Sequence, residues 1–172
     1  MISIDKSSRH TRIVHHFGEN LVCNWLSRSG FEVSIVDHTG MDVIAYNPRT
    51  GQRLGITVKS RTRSEGTETE SVYLLREAKS DRQKLLDACT ALGCDPWVAV
   101  YVECENRADL FLTSLANYDK RYKVRGKAID GWAMTEKHTT EYAADREVKH
   151  IRIEFKDENW WSDRARSAAA NL

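Results

Sequence analysis

Val14, Phe17, Leu21, Val22, Trp25 and Leu26 recur at three- and four-residue intervals, which predicts an amphipathic helix over about residues 10–29. Gly30 follows it, at the position where helices commonly stop on a left-handed residue. Phe31, Val33 and Ile35 then alternate with polar residues and read as a strand. A second strand is expected over 41–46 and a third over 54–59. Between them Asn47-Pro48-Arg49-Thr50-Gly51 has the chemistry of a turn, so the two pair as a hairpin. Residues 64–71 are polar and read as a loop. Over 77–93 a second helix is expected, with Ala78, Leu85, Leu86, Ala88, Cys89 and Leu92 facing inward and Gly93 closing it. Pro96 introduces a strand over 97–102 that is apolar throughout, as a central strand would be. Further strands are expected at 110–112 and 151–155, and a terminal helix over 157–170, while the pattern within 114–150 assigns no element. The order is α-β-β-β-α-β-β with a mixed tail. That is an α/β single domain, a mixed central sheet flanked by helices. Its core spans 10–115, and 116–172 form a C-terminal extension packing on it.

The composition of the 172 residues, 41% hydrophobic and 30% charged, is that of a folded chain. No apolar run approaches the roughly 18 residues of a membrane span, and residues 1–12 lack the apolar core of a signal peptide. Cys23, Cys89, Cys94 and Cys104 form no Cys-x-x-Cys pair. They read as reduced thiols, and the expectation is a cytoplasmic protein. The net charge of +1 excludes a globally basic nucleic-acid binder, but a surface field is set by local clustering. Residues 43–64 contain no acid and carry Arg49, Arg53, Lys59, Arg61 and Arg63. A second cluster is Lys120, Arg121, Lys123, Arg125 and Lys127, read as a solvated face. Trp160 and Trp161 read as a hydrophobic seal.

Three ionisable residues stand where burial makes them expensive. Asp42 lies within an apolar strand, Lys59 ends another, and Glu19 sits one helical turn from Val22 and Cys23. The hairpin places Asp42 and Lys59 on adjacent strands, and alternation puts Thr57 and Lys59 on one face with Val58 on the other. An acid and a lysine so placed can bind a divalent metal and activate water. A hard cation such as Mg²⁺ takes oxygen ligands, and a nearby lysine orients the attacking water or offsets phosphate charge. His10, His15 and His16 read as surface or capping residues without zinc-site spacing.

Phe17-Gly18-Glu19, Gly30-Phe31, Gly40-Met41-Asp42-Val43-Ile44-Ala45 and Ile56-Thr57-Val58-Lys59-Ser60-Arg61 follow one another in an order that resembles the PD-(D/E)XK nuclease superfamily. Within it, the resemblance is to archaeal Holliday junction resolvases and restriction-endonuclease-like proteins. It covers about residues 10–115. It implies a restriction-endonuclease-like fold, Glu19 and Asp42 as metal-binding acids, Lys59 as the catalytic lysine and the Val58 carbonyl as a main-chain ligand. Mg²⁺ or Mn²⁺ would be the cofactor. Arg49, Arg53, Arg61 and Arg63 would contact nucleic acid, and junction resolvases act as dimers. The departure is Thr57, where the family has an acid or, in some branches, glutamine. Some restriction enzymes of the superfamily supply the missing acid from the following helix, where Glu77 stands here.

Two readings follow. One is a metal-dependent DNA endonuclease, with branched DNA among the substrates the resemblance implies. The other is a catalytically degenerate nuclease fold serving as a nucleic-acid-binding or assembly module. A small-molecule enzyme of another class has less support, since the chain has no phosphate-cradling glycine loop and no nucleophile elbow.

Overall fold

The computed structural model describes residues 9–64, 66–104 and 106–155. Helix α1 (His10–Arg28) leads into β1 (Glu32–His38), β2 (Met41–Tyr46) and β3 (Arg53–Thr62). There follow β4 (Val72–Arg76), α2 (Asp81–Leu92), β5 (Asp95–Glu103), β6 (Arg107–Ser114), α3 (Leu115–Arg121), β7 (Ile129–Trp132), α4 (Glu136–Ala144) and β8 (Lys149–Glu154). A six-stranded sheet has the order β1-β2-β3-β5-β6-β8, and β4 and β7 form a second, two-stranded sheet. Within the large sheet only β3 and β5 are parallel neighbours. A parallel pair needs a long crossover, and the segment that supplies it contains β4 and α2.

Each face of the sheet is covered separately. On one, Val14, Val22 and Leu26 of α1 pack with Val43, Ala45, Ile56, Val58, Ala99 and Tyr101. On the other, Leu85, Ala88 and Cys89 of α2 pack with Val98, Val100 and Val102. β5 is therefore buried on both sides, which is why its sequence is apolar without alternation. β1 behaves differently, as an edge strand. Val33 packs toward the α1 core and Val36 toward the α2 core. A register shift between Ile35 and His38 breaks the alternation, and Ile35 is exposed rather than inward.

The second helix is shorter than its pattern suggests. Residues Glu77–Lys79 form a single 3₁₀ turn, Ser80 is left-handed at φ 52°, and α2 begins at Asp81. The cause is β4, whose pairing with β7 holds 72–76 extended. The Glu77 amide then donates to the Ala128 carbonyl. Leu85, Ala88 and Cys89 do face inward and Leu86 is half-buried, but Ala78 and Leu92 are exposed. The unassigned stretch 114–150 holds α3, β7 and α4. Its Leu115, Tyr118, Trp132, Met134 and Tyr142 complete the core on the α2 side, and β8 extends the large sheet beyond β6. Chain beyond residue 115 is thus woven into both sheets. The helix expected over 157–170, with Trp160 and Trp161, lies outside the described residues. Among the described residues no helix is long and apolar enough to cross a membrane.

Candidate metal centre

α1 crosses β3 closely at Gly18. A Cβ there would fall on Ser60 Oγ and lie 3.1 Å from Tyr101 Cβ. That approach brings the next residue, Glu19, down against the sheet, where it is 4% exposed. Its carboxylate is flanked from its own helix: His15 Nε2 lies 3.0 Å from Oε1 and His16 Nδ1 lies 3.2 Å from Oε2. Burial and the Glu19 charge raise the neighbouring Cys23 thiol above its ordinary pKa.

Asp42 enters from β2. The β2–β3 ladder ends with Val43 opposite Ile56. Beyond it the Val58 amide donates to Asp42 Oδ2 at 2.6 Å instead of to backbone, and Thr57 Oγ1 donates to the same oxygen at 3.1 Å. A strand residue's carbonyl and amide point to the same neighbour, so the Val58 carbonyl is directed toward this opening too. Val43, Ile56 and Val58 face α1. By alternation Thr57 and Lys59 lie on the face opposite Val58. Met41 packs in the α2 core and Val43 in the α1 core, so strict alternation breaks at Asp42. Thr57 is buried and Lys59 half-buried.

Glu19, arriving from the α1 side, meets Asp42 where the ladder opens. One ligand atom each from His15, Glu19 and Asp42 lie within 4.8 Å of one another. Among the described residues neither acid has a lysine or arginine within ion-pair distance. Two carboxylates at close range repel unless a cation lies between them. With an imidazole beside them they make an oxygen–nitrogen donor set that fits a divalent cation.

His15 was not expected here, since the histidines of α1 read as surface or capping residues. Its signal was available: His15 and Glu19 are four apart, one above the other on a helix. Glu77 is not part of the group. It is exposed, on the turn after β4 and not in the first turn of α2.

The four arginines are divided. Arg49 and Arg53 stand at the turn end of the hairpin, with the Arg53 guanidinium 5.5 Å over the Tyr46 ring. Six residues of strand, about 20 Å, separate Arg53 from Lys59. Arg61 and Arg63 lie at the Lys59 end. Arg61 donates to the Ser60 carbonyl at 2.7 Å. Its pKa is lowered by burial and by the charges of Arg63 and Arg76. Arg63 is committed to the following loop, donating to the Glu70 carboxylate at 3.1 Å and to the Glu70 and Ser71 carbonyls.

No family model matches the sequence, and no curated protein matches it. Among solved structures, the chain is similar to Hjc, a Holliday junction resolvase from the archaeal hyperthermophile Archaeoglobus fulgidus. The TM-score is 0.53 and the identity 19%, over 74% of this chain and 88% of that one. The chain therefore has a restriction-endonuclease-like fold; at that identity the likeness speaks to architecture alone.

Proposed function

We propose that the chain is a divalent-metal-dependent nuclease that hydrolyses phosphodiester bonds in DNA. The observation that carries this reading is the convergence of Glu19 and Asp42, from separate elements, on one point beside His15, with Lys59 one residue beyond the Val58 amide that fixes Asp42. Glu19, Asp42, His15 and the Val58 carbonyl would hold the ion. When bound, a divalent cation supplies Lewis-acid polarisation of a phosphate oxygen and lowers the pKa of water. The protein's own part is positional. The Val58 amide and Thr57 hydroxyl hold one Asp42 oxygen in place and leave Oδ1 free to face the ion. Lys59 places a positive charge where the scissile phosphate develops negative charge. Likeness to a junction resolvase supports branched DNA as the substrate.

His15 bears on the choice of ion. Thr57 contributes a neutral hydroxyl that is already donating to Asp42, so the third side-chain donor is an imidazole rather than an acid. Imidazole nitrogen suits transition metals better than Mg²⁺, which prefers oxygen. Mn²⁺ is expected to support cleavage better than Mg²⁺.

The test is incubation of the purified protein with plasmid, four-way junction and single-stranded DNA in either ion, beside Lys59→Ala and Asp42→Asn. Metal-dependent cleavage lost in both variants supports the nuclease. Absence of cleavage on every substrate, with no Mn²⁺ binding by calorimetry, sinks it and favours the second reading, a DNA-binding module on the same fold. The loss of an acid at Thr57 is the observation behind that reading.

A further inference from the structure

The last turn of α3 and the loop after it carry Lys120, Arg121, Lys123, Arg125 and Lys127 with no acid among residues 120–127. This segment is largely exposed, with Lys123 half-buried. With β4, β7 and α4 it walls an open cleft of about 710 Å³. Arg121, Lys123 and Lys127 line it, against Glu141 as the acid in its walls. Two of the cations have distant partners: Arg121 lies 3.5 Å from Asp145 and Lys123 lies 3.6 Å from Asp130. Lys127 has no ion pair among the described residues.

Aromatic and apolar groups are interleaved with these charges. Tyr73, on β4 opposite Gly131, is 50% exposed although it lines the cleft. Ile129 and Val124 are exposed beside it. Behind the wall Tyr118, Tyr122, Trp132 and Tyr142 pack ring to ring, so the cleft has a rigid floor.

We infer that this cleft binds a single strand of nucleic acid, with a base stacked on Tyr73 and phosphates on Lys123 and Lys127. A line of cations with an exposed ring is the chemistry of a single-strand site, since every base offers a π-face once unpaired. Duplex DNA presents phosphates but no free base face. The inference rests on the cleft alone and does not require the metal centre to be active.

The test is fluorescence anisotropy with labelled oligo-dT, oligo-rU and a duplex, using the full-length Asp42→Asn protein in EDTA so that no strand is cut. Both single strands are expected to bind more tightly than the duplex, and similarly to each other. Tyr73→Ala is expected to weaken single-strand binding at least about fivefold, and Tyr73→Phe to retain it. The Lys123→Gln, Lys127→Gln double variant is expected to lower the log–log salt slope by about 1.4, about 0.7 for each phosphate. Lys127→Gln alone, which disturbs no ion pair, is expected to lower it by about half of that. Tighter binding to duplex overturns the inference. So does unchanged affinity in Tyr73→Ala, an unchanged slope in Lys127→Gln, or displacement of the strand by ATP or inorganic phosphate at equal concentration. Because metal is absent throughout, these outcomes are independent of whether the protein cleaves.

Discussion

In the proposed metal centre Asp42 would serve fold and chemistry together. Its Oδ2 closes the β2–β3 hairpin by taking the Val58 amide and the Thr57 hydroxyl, and its other oxygen is left for a ligand. Asp42→Asn keeps an acceptor for both donors but removes the charge. It is expected to leave the far-ultraviolet circular dichroism unchanged and to reduce cleavage by about a hundredfold or more. Thr57→Val removes one donor from a carboxylate in a mostly buried setting. Hydrogen bonds to charged groups contribute roughly 1.5–3 kcal/mol, so a loss of about that size should appear in urea unfolding. Thr57→Glu adds a third carboxylate beside Glu19 and Asp42. Without metal the protein should be less stable than the parent, and its melting temperature should climb steeply with added Mn²⁺, since binding to the native state alone stabilises it. A variant equally stable with and without Mn²⁺ would contradict the proposed ligand set. For His15→Ala, the Mn²⁺ concentration that half-saturates cleavage is expected to rise about tenfold or more.

The elements meet at two glycines that allow no side chain. Gly18 lets α1 approach Ser60 and so delivers Glu19. Gly40, at φ +109°, turns β1 into β2 where a Cβ would collide with the Lys84 carbonyl of α2. An alanine at Gly40 meets both a strained φ and a backbone atom that cannot move aside. Each such strain costs about 1–3 kcal/mol. Gly40→Ala should therefore lower the melting temperature by several degrees and, because Asp42 is two residues on, reduce cleavage as well. An unchanged melting temperature would mean that α2 is free to shift away from the turn.

For the molecule as a whole, two buried acids hold the chain beyond residue 115: Asp145 ties its elements to one another, and Asp109 ties its last strand to β6. Asp145 accepts hydrogen bonds from Tyr122 at 2.6 Å, Asn117 at 3.0 Å and the Glu147 amide at 3.0 Å. Burial pushes its pKa up, but these donors and Arg121 outweigh it and hold the carboxyl at about 2. Asp109 is likewise held below the usual range, its burial outweighed by His150 and Arg152, which join β6 to β8. Both native-state values lie below the unfolded one, so their stabilisation is fully present above the unfolded pKa, near 3.8. It is lost as pH falls from there toward about 2. Urea midpoints measured across that window should fall steeply for the parent. For Asp145→Asn they should start lower and fall less, and a parallel fall in both would remove Asp145 from the acid transition.

Much of this was legible in the residue pattern. Periodicity located α1, the β2–β3 hairpin and the buried β5, because those elements bury a regular stripe or both faces. The burial of charge in apolar surroundings singled out Asp42, Glu19 and Lys59, since such residues are expensive without a purpose. What the chain pattern does not encode is which distant segments pair. β4 is fixed by β7, more than fifty residues later, and that pairing ends the strand at Arg76, forms the turn at Glu77 and delays α2 to Asp81. The same long-range contacts hide the order in 114–150, whose short elements are stabilised by an aromatic core assembled from several of them rather than by their own periodicity. His15 carries the lesson to the site. Its spacing from Glu19 is a property of the sequence, but only the close packing of α1 on β3 at Gly18 turns that helix face toward Asp42 and sets a surface-like histidine beside the two acids.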